Sequence, residues 1–129
     1  MVRADVSNPD DVKALLSQTE EELGPITDLV NSAALATGIG PIEDLDIEQT
    51  RRMLEINVFG LFICCHCAVR RMARRRGGQG GTIINLSSAA ARTHASGPLW
   101  TIQPARRRSI ASPKAWRRNK DPRASVFSA

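Results

Sequence analysis

Residues 81 to 91 read GTIINLSSAAA, and this stretch decides the fold. A short apolar run, Ile83 and Ile84 at its centre, lies between a glycine-rich approach and paired serines at 87 and 88. Such a run, too short for a helix and without polar alternation, reads as a strand covered on both faces. Upstream, ITDLVNSAA (26 to 34) has the same form: a short apolar strand running into small residues.

Each of these strands follows a helical pattern. In SNPDDVKALLSQTEEELGP (7 to 25), Asn8 can cap the helix and Pro9 suits its first position, while Asp10 and Asp11 favour the positive end of the dipole. Val12, Leu15, Leu16 and Leu23 share one face, and Gly24-Pro25 ends the helix. LATGIGPIEDL (35 to 45) reads as a loop. From Asp46 to about Arg76 a longer helix is predicted, opened by an Asp46-x-x-Gln49 box and closed by RRRGGQGG. Leu54, Val58, Leu61, Phe62, Cys65, Val69 and Met72 keep the helical spacing on its apolar side. Helix, strand, helix, strand in this order implies parallel strands joined by crossovers, hence an open α/β sheet. Ligands of such sheets lie at the carboxyl ends of strands, where Asn31 to Ala34 and Ser87 to Ala89 fall.

The net charge of +5 on 129 residues is not spread evenly. Residues 1 to 97 hold 10 Lys and Arg against 12 Asp and Glu, whereas 98 to 129 hold 8 against 1. The basicity therefore belongs to the tail, which also holds both Trp and four of the seven Pro. No apolar rhythm survives there, so 98 to 129 is expected to be an irregular, disordered basic tail. Nucleic-acid binding is not expected of it, since no aromatic interleaving or motif accompanies the charge. The chain opens without a secretory leader and nowhere runs about 18 apolar residues together, so a cytoplasmic protein with no membrane partner is expected. The three cysteines fall within CCHC (64 to 67). Four successive helical residues point in four directions and cannot converge on a metal, so these are read as small, partly buried helix residues and no metal is expected.

Four stretches then line up in order: ADV at 4 to 6, LVNSAA at 29 to 34, INVFG at 56 to 60 and GTIINLSSAAA at 81 to 91. Together they resemble successive segments of a short-chain dehydrogenase/reductase, over residues 1 to about 97. The resemblance implies a partial, Rossmann-like, doubly wound parallel sheet with helices in an α/β/α arrangement, ending in the irregular tail. It implies an oxidoreductase that moves hydride between NAD or NADP and a small-molecule alcohol, sugar or ketone. It also implies a homo-oligomer formed through helix 47 to 76, and a non-enzymatic fragment joining intact relatives through that helix is the alternative. By resemblance, Asp5 and Val6 touch the adenine; Asn31, Ala33 and Ala34 line the cofactor's ribose, with Ser32 and Ala34 departing from the usual N-N-A-G. Asn57 supports a water in the proton relay, and Ser88 hydrogen-bonds the substrate carbonyl, where a donor stabilises the charge that develops on oxygen.

Two parts of the family pattern have no counterpart. Met1 falls near the end of the family's third strand, so the glycine-rich turn that holds the pyrophosphate at a helix N-terminus does not appear. The Tyr-x-x-x-Lys pair, in which the Tyr is general acid/base and the Lys lowers its pKa, is replaced by Thr101 or Ile102 and Ala105 or Arg106; the chain has no Tyr at all. It is therefore expected to be inactive as written. The genetic code suggests why. If Leu99 to Arg106 is written CTG TGG ACT ATC CAG CCA GCA AGG, reading from the last base of the Leu codon spells V-D-Y-P-A-S-K. Permitted codons continue this reading through the family's next helix, and give G-I-R-V opposite Ala124 to Phe127. A one-base frame change between about Thr93 and Trp100 is therefore expected.

Overall fold

The computed structural model describes residues 1–36 and 41–86, together with the backbone of 124–128. Helix α1 spans Pro9–Leu23 and strand β1 Asp28–Asn31. After a short 3-10 turn at Ile42–Asp44 come α2 (Ile47–Leu54), a π-helical segment (Glu55–Gly60) and α3 (Leu61–Met72), one continuous helical rod. A 3-10 turn at Arg74–Arg76 leads to β2 (Gly81–Asn85), and β3 is Ala124–Ser128.

The local signals act as their chemistry requires. Asn8 caps α1, its side chain accepting from the backbone N–H of Asp10 and Asp11, and Pro9 stands in the first turn. Asp46 caps α2 by accepting from Gln49 N at 2.9 Å, while the Gln49 amide returns to the Asp46 carboxylate rather than to its backbone. Val12 and Leu16 enter the core as the helical face predicts, but Leu23 is 82% exposed because the last turn of α1 overhangs the packed region.

The strands are parallel in the order β1-β2-β3, with Asp28 beside Thr82 and Asn31 beside Asn85. The parallel α/β architecture expected of the sequence is thus present. Alternation along β1 and β2 sends Leu29, Asn31, Ile83 and Asn85 to one side. On that side α1 and α3 supply Val12, Leu16, Cys64, Cys65, Cys67, Ala68 and Met72 to a single core. Val30, on the opposite face, is 56% exposed, and the second helical layer of an α/β/α arrangement is not among the described residues. β3 pairs along β2 from Gly81↔Ala124 to Asn85↔Ser128, which corrects the irregular reading of the tail at those five residues. Ser, Val and Phe tolerate an extended backbone, and the Arg- and Pro-rich surroundings hid that short signal.

The long helix departs from its predicted face. The buried side is offset by about one residue from the predicted stripe, and the offset is present ahead of the π segment, where Met53 and not Leu54 is buried. Met53, Asn57, Gly60, Cys64, Cys65, Cys67, Ala68 and Met72 are buried, and Leu54 and Phe62, expected in the core, are about two-fifths exposed at 41% and 40%. The α-helix also ends at Met72, not Arg76. By length and composition Ile47–Met72 could cross a membrane, with mean hydropathy 1.5 over its most apolar window. In this fold it carries a buried Asn57 and packs on α1 and the sheet, as a core helix does.

Candidate functional site

Five of the residues singled out from the sequence, Asp5, Val6, Asn31, Ala33 and Asn57, lie around two adjoining hollows beside the carboxyl end of β1. Asp5 and Val6 form the turn into α1. Asp5 Oδ1 accepts from the Ser7 backbone N–H at 2.9 Å and from Ser7 Oγ at 2.7 Å, and Oδ2 accepts from Arg52 of α2. Arg52 also donates to Ser7 Oγ at 2.7 Å and to Glu55 at 3.3 Å. The Asp5 backbone N–H is held by Asp11. The Ser7 hydroxyl foremost, then the Ser7 N–H and Arg52, hold the Asp5 carboxyl down at about 2. A carboxyl whose folded pKa is lowered in this way contributes stability above its ordinary value of 3.8, and loses it as pH falls toward 2.

Asn31 closes β1 and donates from Nδ2 to Asn85 Oδ1 at 2.8 Å, with Cys65 Sγ at 3.4 Å on the same nitrogen. The side chains of neighbouring parallel strands are thereby tied at the ligand end of the sheet. Asn85 is 2% exposed and its Nδ2 has no partner among the described residues. Asn57, in the π segment, pairs with both backbone groups of Leu35: its Oδ1 accepts from Leu35 N and its Nδ2 donates to Leu35 O, each at 2.8 Å. The amide therefore replaces a strand neighbour for the segment leaving β1, and fixes the course of Ser32 to Ala36.

Two hollows open beside these groups. A small one of about 20 Å³ is lined by Val6, Asn31, Ala33, Asn57, Gly60 and Cys64 among others, and has room for one water. A larger cleft of about 570 Å³ is lined by Arg3, Ala4, Asp5, Val6, Asp11, Ala33 and Ile56. Its lining mixes the apolar Ala4, Val6, Ala33 and Ile56 with the charged Arg3, Asp5 and Asp11. Asp5, Val6, Asn31, Ala33 and Asn57 are thus brought together; Ala34 is exposed and lines neither hollow, and Ser88 lies outside the described residues.

Sequence reasoning passed over four contributors. Arg52 was one of many helix arginines, with nothing local to pair it with Asp5. Ile56 and Gly60 were read only as parts of a motif. Yet a Cβ at Gly60 would stand 2.9 Å from Val6 Cγ2 and 3.2 Å from its carbonyl carbon, so the glycine lets the Asp5-Val6 turn rest on the helix. Asn85 had a signal, an amide inside an apolar strand, that asks for a buried partner. The three cysteines are buried, as read, and burial pushes the thiols of Cys64 and Cys65 up to about 11.

An open parallel α/β sheet with a cleft beside the carboxyl ends of its strands is the arrangement of the doubly wound α/β class, which places ligands there. The short chain dehydrogenase family profile matches residues 1–100, and the chain belongs to that family. It is 38% identical over 97 residues to the uncharacterized oxidoreductase YgfF of Escherichia coli, covering 75% of this chain and 39% of that one. It is 40% identical over 95 residues to an NADPH-dependent aldehyde reductase 2, chloroplastic, of Arabidopsis thaliana, covering 72% of this chain and 34% of the relative. A short-chain dehydrogenase/reductase from Serratia marcescens superposes with a TM-score of 0.85 at 26% identity, over 98% of this chain and 49% of that one. The chain thus spans about two-fifths or less of these curated relatives and half of that solved structure.

Proposed function

We propose that the chain is the adenosine-facing part of an NAD(P)-dependent oxidoreductase for small alcohols or carbonyls, and that these 129 residues do not by themselves transfer hydride. The observation that carries the reading is the meeting of Asp5, Val6 and Ala33 around one cleft beside Asn31 and Asn57. The cleft offers adenine the side chains of Val6 and Ile56 and an acceptor in Asp5, and by the family resemblance Asn31, Ala33 and Ala34 would border the ribose. Bound cofactor would supply hydride chemistry. The chain's own part is to seat the base, hold the loop through Asn57, and present a donor from Ser88 to the substrate oxygen. With no Tyr in the sequence, the acid/base partner of that chemistry is missing. Three buried free thiols suit a cytoplasmic setting.

Binding and turnover together test this. Adenosine, AMP and NADH are expected to bind with similar millimolar affinity, about −4 kcal/mol each, because no element among the described residues cradles a pyrophosphate. No NADH or NADPH oxidation is expected with any aldehyde or ketone. Turnover would overturn the inactive reading, and absence of all three binding isotherms would overturn the cofactor reading.

The frame change is part of the same proposal. It is supported by the run of family-like residues that permitted codons give opposite Leu99 to Arg106 and Ala124 to Phe127. Sequencing of the gene is expected to show codons for Trp100 to Arg118 that spell the family's Tyr-x-x-x-Lys helix in the neighbouring frame. Any other codon choice there sinks the idea.

A second reading, association with intact relatives or another copy through the long helix, is favoured by one observation. Ile47 (61% exposed), Leu54 (41%), Phe59 (68%) and Phe62 (40%) place large apolar groups along the outside of that helix. A monomer by sedimentation at tens of micromolar would count against it.

A further inference from the structure

We infer that Arg52 is a positioning residue for purine recognition: it fixes the Asp5 carboxylate so that the cleft selects a ring bearing an exocyclic amino group. The inference rests on the cofactor reading above and adds to it a residue outside the family motifs. Asp5 Oδ1 already accepts two hydrogen bonds from Ser7, so its acceptor capacity is filled. Oδ2 accepts from Arg52 and keeps one free lone pair, on a residue that lines the cleft. The cleft thus offers a fixed, charged acceptor, which an amino group satisfies and a ring carbonyl meets with repulsion.

Arg52 holds that acceptor from two sides. Its guanidinium reaches Oδ2 directly and reaches Oδ1 through the Ser7 hydroxyl, which accepts from Nη1 and donates to Asp5. A planar, multi-donor fork can do this; a compact ammonium can make one of the two contacts. Glu55 balances the cation from the far side, so the group Asp5, Arg52 and Glu55 keeps one net negative charge at the base end. Arg3 and Asp11 are the other charged groups lining the cleft, and Asp11 is engaged by the Asp5 backbone N–H.

The test compares AMP with purine riboside 5′-monophosphate, which lacks the 6-amino donor and gains no ring N–H in its place, on the full 129-residue chain by calorimetry or ligand-observed NMR. Wild type is expected to prefer AMP by about tenfold, the worth of one hydrogen bond to a charged, part-exposed group. Arg52→Met is expected to bring the ratio to about one, and Arg52→Lys to retain part of it. If Arg52→Met does not fold, Ser7→Ala removes the bridging hydroxyl and is expected to lower the ratio about threefold. A merely structural role would weaken both nucleotides equally and leave the ratio unchanged, which would overturn the assignment. An equal affinity of wild type for AMP and the purine riboside monophosphate would do the same while leaving the cofactor reading intact. Failure of wild type to bind AMP, adenosine or NADH would remove that reading and this inference with it.

Discussion

Gly81→Ala lowers stability by about 3 kcal/mol, read as a shift of the urea midpoint at unchanged slope. The glycine opens β2 where two backbones and a helix end meet. A Cβ there would stand 2.0 Å from Thr27 O, 2.8 Å from Thr27 C and 2.3 Å from Met72 Cε. The methionine end could swing aside, but the Thr27 backbone could not, because its carbonyl accepts from Thr82 N at 2.8 Å and begins the β1–β2 ladder. Moving Thr27 therefore disturbs the register from Asp28↔Thr82 to Asn31↔Asn85, and with it the amide pair at the ligand end. Gly77, by contrast, meets nothing within 4 Å, and its φ of +87° makes it a backbone requirement of the turn. Gly77→Asn is accordingly a mild control, since Asn tolerates the left-handed region. A Gly81→Ala protein within about 1 kcal/mol of wild type would show that Thr27 yields, and that the sheet does not depend on this approach.

Asn57→Ala is expected to cost about 1 to 3 kcal/mol and to raise protease sensitivity at residues 32 to 36. Two part-buried backbone groups of Leu35 lose their partners together, and each such hydrogen bond is worth about 0.5 to 1.5 kcal/mol. Asn57→Asp separates the two bonds. Ionised, the carboxylate accepts from Leu35 N but repels Leu35 O. Protonated, it donates to Leu35 O and restores the pair. Burial and that repulsion favour the neutral form, so the folded pKa of the introduced acid lies above its unfolded value. The variant therefore gains stability as pH falls from 8 toward 5, opposite in sign to the contribution of Asp5, which is lost toward pH 2. A flat difference between the Asp and Ala variants from pH 8 to 5 would contradict the two-sided pairing.

Much of this fold is legible in the chain because it is written in local chemistry. Asn8-Pro9 and Asp46-x-x-Gln49 start their helices with side chains that satisfy orphan N–H groups, and those bonds form as expected. LVN and TIIN announce strands by their short apolar runs, and intervening helices oblige those strands to be parallel, while the cover expected on both faces is seen on one, with Val30 exposed on the other. The cluster of Asp5, Val6, Asn31, Ala33 and Asn57 was legible as motifs, although nothing local says how their side chains are spent. Asn57 shows the limit. As a residue it reads as a polar group inside a helix, and only the path of the segment after β1 reveals that Leu35 needs both ends of its amide.

The helical face shows another limit. A stripe drawn through the largest apolar residues puts Leu54 and Phe62 in the core; in the fold Met53, Gly60, Cys64 and Cys67 take the inner side. Small residues win those positions because α3 packs closely on α1 and the sheet, which residue size along the helix does not announce.

What the sequence by itself determined is therefore the set of elements, their order, their caps and the family pattern, all consequences of spacing and side-chain type. The tertiary structure alone decided three things: the ion pair from Arg52 to Asp5 across 47 residues, the face that the long helix buries, and the strand that 124–128 adds to β2. Each depends on surfaces that meet only after the chain has crossed over itself, where the free energy of contact outweighs local preference.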